Sequence, residues 1–478
     1  MAQKTFKLKV SKNTRVIKHK EKAIVYNAFY GDGMVCHIDM LELIDNIKQG
    51  KSIQELKKQY QQLNIGTSIS ELMKKGLVVE KNILEANRPY RVYSDAEIES
   101  GCLINKLRLN VSHACNMRCA YCYVDKKDAG NIDATMTWNT AKKAINKFFN
   151  LLKQHSHKFC IIRFFGGEPL LNWPVIRQSL EYIQKESHGI SVSFLLNTNG
   201  TIFTEEIAKT LSIQKIGLAI SLDGTSKEHD LVRQFKSGKP SYEVIVRHIE
   251  NFLRAGCILG IETTIGDHNI FRLKGLIDQI ALWNTTFKVS IPLSFQHLAI
   301  VDKTKIDTIP VKEKTKQIIA LIESAGKKNV RADTGMVHFS INALKGQRNT
   351  GRYCRAMGGE LCVYPNGDIY PCGALKIKLG AIDDIMSVFR SIAYHSLANR
   401  TAGNIPACRG CEIEAFCAGG CAADVFAVSG VVNTRMINCD LERKLFKNLV
   451  KRDVLAFTKF SIKTGGGAYG CGIPVTVF

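Results

Sequence analysis

The chain has no apolar run approaching the ~18 residues of a membrane span. Its start, Met1-Ala-Gln-Lys-Thr-Phe-Lys7, has lysines without the continuous apolar segment that follows them in a signal peptide. These two absences argue against a membrane span or secretion, and a cytoplasmic protein is expected. Acidic residues are in short supply: 43 Asp and Glu against 66 Lys and Arg leave a formal net charge of +23. Such an imbalance favours an acidic partner, whether nucleic acid, an acidic peptide or a membrane surface. The basic residues are nevertheless spread along the chain (Lys18, Lys20, Lys57, Lys58, Lys74, Lys75, Lys327, Lys328), which also serves solubility, and no nucleic-acid-binding motif is present. In a reduced compartment disulfides do not persist, so the 16 cysteines, clustered at short spacings, point to metal.

The 478 residues suffice for two to four domains with a substantial core. Residues 1–90 read as a small separate domain. Strand-like runs (Thr5–Val10, Ala23–Tyr26) lead to the turn Gly31-Asp-Gly33 and to Val35–Ile38. Three helix signals follow: Asp39 as a cap for a helix stopping at Gly50, the capping box Ser52-x-x-Glu55, and Ser68–Met73 ending at Gly76 before the strand Leu77–Val79. Residues 91–104 read as a linker. Six strand-like runs then alternate with helical patterns over 105–310: Leu107–Val111, Cys160–Phe165, Ser191–Leu196, Ile216–Leu222, Leu259–Thr264 and Val289–Leu293. Alternation of this kind predicts a parallel α/β sheet with ligands at the carboxyl ends of its strands.

The motifs fall at those ends. Cys115, Cys119 and Cys122, spaced C-x3-C-x2-C, follow the first strand. Zinc usually takes four protein ligands from paired knuckles, and thiolates hold iron-sulfur clusters in fours, so three local cysteines leave one iron open to a substrate or cofactor. Three buried or zinc-binding cysteines are the plain alternative. Gly166-Gly-Glu-Pro169 follows the second strand; glycines admit close backbone approach, and a fixed carboxylate can accept hydrogen bonds from an ammonium group. Asn197-Thr-Asn-Gly200 follows the third, and Ser221-Leu-Asp-Gly224 with His229, Asp230 and Arg233 follows the fourth, where Asn-Gly and Asp-Gly also suit tight turns without any ligand. Nine cysteines lie after residue 350: Cys354, Cys362, Cys372, the run Cys408-x2-Cys411-x5-Cys417-x3-Cys421, Cys439 and Cys471.

The cysteine triplet, with Tyr121 before its last member, resembles the radical S-adenosylmethionine (SAM) superfamily. That likeness implies a partial (β/α)6 TIM barrel in which the open iron chelates the amino and carboxylate groups of SAM and reductive cleavage yields a 5'-deoxyadenosyl radical. Gly166-Gly-Glu-Pro169 resembles the family's GGEP motif, implying that Gly166, Gly167 and Glu168 bind the SAM amino group, and that Asn197, Asn199, Ser221 and Arg233 lie near its ribose and carboxylate. The late cysteines, with Gly367-x4-Cys372, resemble the SPASM domain of peptide and protein maturases. The likeness implies an outer auxiliary 4Fe-4S cluster on Cys408, Cys411, Cys417 and Cys439 and an inner one on Cys354, Cys372 and Cys421, with Cys362 as the natural fourth ligand or with one iron left open. A zinc-binding domain is the alternative for this segment. Together these likenesses imply three clusters and an electron donor such as flavodoxin or ferredoxin.

The first 90 residues resemble the PqqD-like RiPP recognition element, a winged-helix-like module that holds a precursor peptide's leader as an added strand; a module for dimerisation or DNA is the alternative. Beyond the barrel the boundaries read 311–345 as a bridging segment, 346–440 as the SPASM domain and 441–478 as a C-terminal helix with a glycine-rich tail. The combined likeness implies a maturase that crosslinks a ribosomally made peptide, with a thioether as first expectation and a carbon-carbon bond as alternative. Anaerobic sulfatase maturases share the pattern but carry an aspartate where this chain has Gly373. A cluster-bearing, nucleic-acid-binding regulator is the non-enzyme alternative.

Overall fold

The computed structural model describes residues 7–61, 64–85, 93–123, 135–298, 308–335, 340, 344 and 351–453. The glycine-rich tail and Cys471 lie outside them. Among the described residues no helix is long and apolar enough to cross a membrane.

The N-terminal unit has its own core. Strand β1 (Leu8–Val10) pairs antiparallel with β5 (Val78–Glu80), and β2 (Thr14–His19), β3 (Lys22–Asn27) and β4 (Gly33–His37) form an antiparallel meander. The strand β2 was not foreseen, because its alternation of Thr, Arg, Val, Ile and Lys is weakly apolar. Side chains of β3 alternate between two destinations. Ala23 and Val25 join the unit's helices (Met40–Lys48, Ile53–Gln59, Ile65–Lys74), whereas Ile24 and Tyr26 join the main core of the molecule. The Tyr26 ring packs 5.9 Å from Phe416 and 5.6 Å from Phe446, and Ala415 donates its N–H to the Ala28 carbonyl at 2.9 Å. The unit is therefore docked by a sheet face onto the C-terminal part of the chain. Ser52 and Glu55 form the predicted capping box, but Asp39 makes no side-chain cap and instead faces His37 at 3.0 Å.

The expected linker is not simply one: Ser94 and Glu97 cap the helix Asp95–Glu99, whose Ile98 is fully buried. Six parallel strands follow: β6 (Lys106–Ser112), β7 (Phe159–Gly166), β8 (Ser191–Thr198), β9 (Gly217–Ser221), β10 (Leu259–Ile265) and β11 (Leu293–His297). The last begins four residues later than expected. Lys288 ends the preceding helix in the left-handed conformation, Asn284 holds the Ile291 N–H, and Pro292 has no N–H to offer a ladder. The segment read as a bridge contains the helix Val311–Lys327 and β12 (Ala332–Thr334), which adds a further parallel strand beside β11. At the other edge β13 (Glu360–Val363) pairs parallel to β6, and β14 (Asp368–Tyr370) and β15 (Gly380–Ala381) continue antiparallel. The result is one ten-stranded sheet, an α/β partial barrel extended at both edges.

Period-two alternation sorts its side chains. Leu107, Leu109, Val111, Ile162, Phe164, Leu196, Leu218, Ile220 and Ile261 are fully buried in the main core with the helices. The opposite face carries Lys106, Arg108, Arg163, Asn197, Ser221, Glu262 and Thr264 and lines a polar lumen. In the ladder Cys362 lies opposite Arg108, Arg108 opposite Arg163, and Ser221 opposite Glu262.

Candidate functional site

The loop after β6 carries Cys115, Cys119 and Cys122, and two segments hold it from opposite sides. Arg118 and Ala120 donate backbone N–H groups to the carbonyls of Gln234 and Val232, both at 2.8 Å, and Lys236 donates to Asn116 at 3.0 Å. The Gly-Gly turn closes the other side. Gly167 N–H reaches Ser112 O at 2.6 Å and Glu168 N–H reaches Ala114 O at 2.9 Å. A Cβ on Gly167 would stand 2.5 Å from Ala114 O and 2.6 Å from His113 O, so only glycine permits this contact.

Glu168 is fully buried. Burial pushes its carboxyl up to about 7 although it accepts hydrogen bonds from the N–H groups of Asn199 and Leu170 and from the Thr198 hydroxyl. Its oxygens thus tie the β7 turn to the β8 turn. The Asn199 side chain is similarly committed: its Nδ2 donates to Asn116 Oδ1 at 2.9 Å and lies 3.7 Å from Cys115 Sγ, while its Oδ1 accepts from Thr201. Both residues position the cysteine loop. Three other predicted groups keep free polar atoms among the described residues. Asn197 donates to Glu262 Oε2 at 2.9 Å, leaving its buried Oδ1 without a partner; the Ser221 hydroxyl is unpaired; and Arg233 keeps Nη2 unpaired.

Arg233 and Tyr121 converge on Asp223, which is fully buried. Arg233 Nε donates to Asp223 Oδ2 at 2.9 Å, the Tyr121 hydroxyl donates to the same oxygen, and Thr264 N–H donates to Oδ1 at 2.9 Å. The guanidinium stands 5.3 Å from the Tyr121 ring centroid, and its Nη1 lies 3.8 Å from Cys119 Sγ. Burial raises the Tyr121 phenol well above its ordinary value, so it stays protonated as a donor. Behind this group the His229 imidazole accepts from the Asp223 N–H at its Nδ1 and stands 3.0 Å from Ser241 Oγ through its Nε2. Burial, aided by Arg233, drives its pKa down to about 3 and keeps it neutral.

The late cysteines fall in two neighbourhoods. Cys417 lies within electrostatic reach of Glu442 and of Cys439, Cys408 and Cys411; Cys421 lies within reach of Cys354 and Cys372, and Cys362 within reach of Cys372. Cys417 and Cys421 part company because Ala418, Gly419 and Gly420 all take positive φ and reverse the chain between them. Arg400, fully buried, secures that turn by donating to the carbonyls of Ala418, Gly419, Gly420, Val432 and Thr434. Cys362 is fully buried on the lumen side of β13.

Thiols clustered in the loop after β6 and in the late segment, with no disulfide among the described cysteines, suit iron-sulfur clusters. Among the described residues no group of three or more His, Cys, Asp or Glu is drawn in around a single metal ion. Of the remaining cysteines, Cys160 and Cys257 are buried in the core, and Cys36 and Cys102 stand beside backbone carbonyls. Sequence reasoning missed Asn116, Thr201, Glu262, Thr264, Arg108, Arg163 and Arg400. A charged residue inside an apolar strand run, as in Cys160-Ile-Ile-Arg163 or Ile261-Glu262, was the available signal for the strand residues.

Residues 109–279 match the Radical SAM superfamily, and residues 354–412 match SPASM, an iron-sulfur cluster-binding domain. Over 476 residues the chain is 23% identical to the radical SAM cyclopropyl synthase TigE of Paramaledivibacter caminithermalis, covering 93% of this chain and 96% of that protein. Among solved structures, native anSMEcpe with bound AdoMet superposes with a TM-score of 0.61 at 19% identity, covering 74% of this chain and 99% of that one. Streptococcus suis SuiB bound to its precursor peptide SuiA superposes with a TM-score of 0.53 at 15% identity, covering 91% of this chain and 100% of that one. The radical SAM and SPASM domains imply 4Fe-4S clusters and SAM as cofactors.

Proposed function

We propose that this chain, built from a radical SAM core and an SPASM domain, is a maturase that crosslinks residues of a ribosomally made precursor peptide. The observation that carries the reading is the shared lumen, which has the Cys115 loop at the strand ends and Cys362 of the inner cysteine set on its wall. When bound, the reduced cluster and SAM supply a 5'-deoxyadenosyl radical able to abstract hydrogen from a substrate residue.

In this reading Cys115, Cys119 and Cys122 hold the SAM-binding cluster, and the backbone at Gly166 and Gly167 faces the methionyl amino group. The free Nη2 of Arg233 suits a carboxylate, and Asn197 Oδ1 and the Ser221 hydroxyl suit ribose hydroxyls. Glu168, Asn199 and Tyr121 keep those groups in place. Cys408, Cys411, Cys417 and Cys439 hold the outer auxiliary cluster; Cys354, Cys372, Cys421 and Cys362 hold the inner one, and the burial of Cys362 beside Cys372 supports its being the fourth ligand. The N-terminal unit serves as the leader clamp, since β2 and β4 each pair on one side only among the described residues and so offer an edge to an added strand. A flavodoxin or ferredoxin delivers the electron in the cytoplasm.

A thioether is the bond expected from sequence. The near full-length likeness to TigE, a cyclopropyl synthase, favours a second reading in which the new bond joins two carbons. Gly373, in place of an aspartate, stands against formylglycine formation.

The test is mass spectrometry of the short peptide encoded beside the gene after incubation with reconstituted, reduced protein and SAM. Loss of two hydrogens per crosslink, absent with Cys115→Ala, is expected. Alkylation then separates the bonds: a thioether consumes a peptide thiol, whereas a carbon-carbon bond leaves every thiol reactive. Formylglycine in a sulfatase peptide, with the neighbouring peptide unchanged, would overturn the proposal.

A further inference from the structure

The lumen holds more positive charge than its own carboxylates neutralise. Glu360, 3% exposed, uses one oxygen for Lys106 Nζ at 2.8 Å and the other for Arg108 Nε at 2.5 Å. Among the described residues Arg108 makes no further hydrogen bond, so its two terminal nitrogens are uncommitted there. Arg163, opposite it on β7, makes no hydrogen bond or ion pair at all among the described residues, and its Nε is buried without a partner. Glu262 and Glu360 lie within electrostatic reach of Arg163, and Cys362 and Cys372 within that of Arg108, but none of them is bonded to Arg163 or to the terminal nitrogens of Arg108, and Glu262 Oε2 is taken by Asn197. Buried donors are nearly always satisfied in folded proteins, and two guanidinium groups carried at paired positions of neighbouring strands repel unless an anion joins them.

We propose that Arg163 and the free fork of Arg108 form a carboxylate-binding subsite that seats an aspartate or glutamate side chain, or the terminal carboxylate, of the substrate peptide. Planar forks match a carboxylate through paired N–H donors, which a lysine cannot do. The Phe165 ring, 4.8 Å from the Arg108 guanidinium, fixes the fork from one side. Gly373 keeps a side chain out of this corner: a Cβ there would stand 3.3 Å from the Phe165 ring and 3.7 Å from Arg108 Nη1. The carboxylate of SAM is the competing source. Arg163 lies three residues before Gly166, about 10 Å down the strand from the turn at 3.3 Å per residue, so the peptide is favoured. The subsite is thus placed between the Cys115 loop and Cys362, and the assignment to a peptide rests on the maturase reading.

The experiment compares cluster-loaded full-length wild type, Arg163→Gln and Arg163→Lys, with iron content as the check on folding. The probes are the peptide encoded beside the gene and variants in which each Asp or Glu becomes its amide and the C-terminus is amidated. Arg163→Gln should raise the peptide KM roughly 10- to 100-fold, the range of a charged hydrogen bond, with partial recovery in Arg163→Lys. One amide variant should cost wild type the same factor and cost Arg163→Gln nothing more. Weaker SAM binding with unchanged peptide KM would overturn the assignment in favour of the cofactor's carboxylate, and the lack of any matching amide variant would overturn it in favour of a structural arginine. A peptide-free arm measures melting in sodium acetate against acetamide at equal ionic strength. A rise with acetate in wild type and not in Arg163→Gln supports the subsite even if the peptide is never bound, which would sink the maturase reading alone; no acetate effect in wild type overturns the subsite.

Discussion

Replacing Asp223 with Asn removes one buried charge and leaves its partner in place. Asp223 receives three donors, Arg233 Nε, the Tyr121 hydroxyl and Thr264 N–H, on its two oxygens. An asparagine has one oxygen, so in either flip its amide NH2 confronts a donor: Arg233 and Tyr121 in one orientation, Thr264 in the other. The Arg233 guanidinium then loses its counter-ion while remaining only 10% exposed. Breaking a buried pair from one side costs about 3–5 kcal/mol, largely through the stranded charge. Asp223→Asn is therefore expected to lower the denaturation midpoint markedly and to loosen the Cys119 side of the loop, which Arg233 and the Val232–Lys236 segment hold. The assay is a double-mutant cycle with Arg233→Met, read by chemical denaturation. Removing the stranded cation should restore part of the loss, giving a coupling energy of about 2 kcal/mol or more. If the double variant loses the simple sum of both single losses within about 0.5 kcal/mol, the stranded-charge argument is wrong.

Two further outcomes follow from the geometry. Gly167→Ala should push the cysteine loop away from the turn, costing about 1–3 kcal/mol from overpacking; reconstituted protein should lose about four irons per chain while the late cysteine sets keep theirs, and full iron content would refute the close-approach argument. Glu360 should make the fold acid-sensitive. Burial pushes its carboxyl upward, but Arg108 and Lys106 outweigh this and hold it at about 2. Stability from a depressed carboxylate is present above its ordinary 4.5 and is lost as pH falls through about 2, a contribution of roughly 3 kcal/mol. Urea midpoints between pH 5 and 2 should fall more steeply in wild type than in Glu360→Gln, and parallel slopes would disprove the assignment.

The residues that sequence exposed were those whose spacing is itself the chemistry. A loop that must present three thiols has to space them locally, and strands that bury one face must alternate, so the triplet, the Gly-Gly turn and the order of the six strands could be read directly. What could not be read depends on long-range register. Nothing local to Cys362 reports that it lies opposite Arg108, 254 positions earlier. Asn199 reads equally well as a ligand-facing group or as turn chemistry until Asn116, Thr201 and Glu168 are seen to occupy it. Arg400 is an arginine among surface-like neighbours in sequence, and only the left-handed turn of Ala418–Gly420 explains its burial. The late start of β11 was concealed by the apolar residues Val289 and Ile291, whose pattern gives no hint that Pro292 delays pairing.

The continuity of the sheet across β13 and β6 gives the molecule a built-in ruler. One strand leads into the Cys115 loop; the strand beside it, ~4.8 Å away, carries Cys362. Backbone ladders, unlike a linker between domains, do not stretch or swing, so the interval between the two cysteine fields is set by registry and stays the same whatever occupies the lumen. Insertions in loops elsewhere can reshape the chamber without altering that interval. A one-residue slip of β13, by contrast, would turn Cys362 to the opposite face of the sheet and remove its thiol from the lumen wall at a single step.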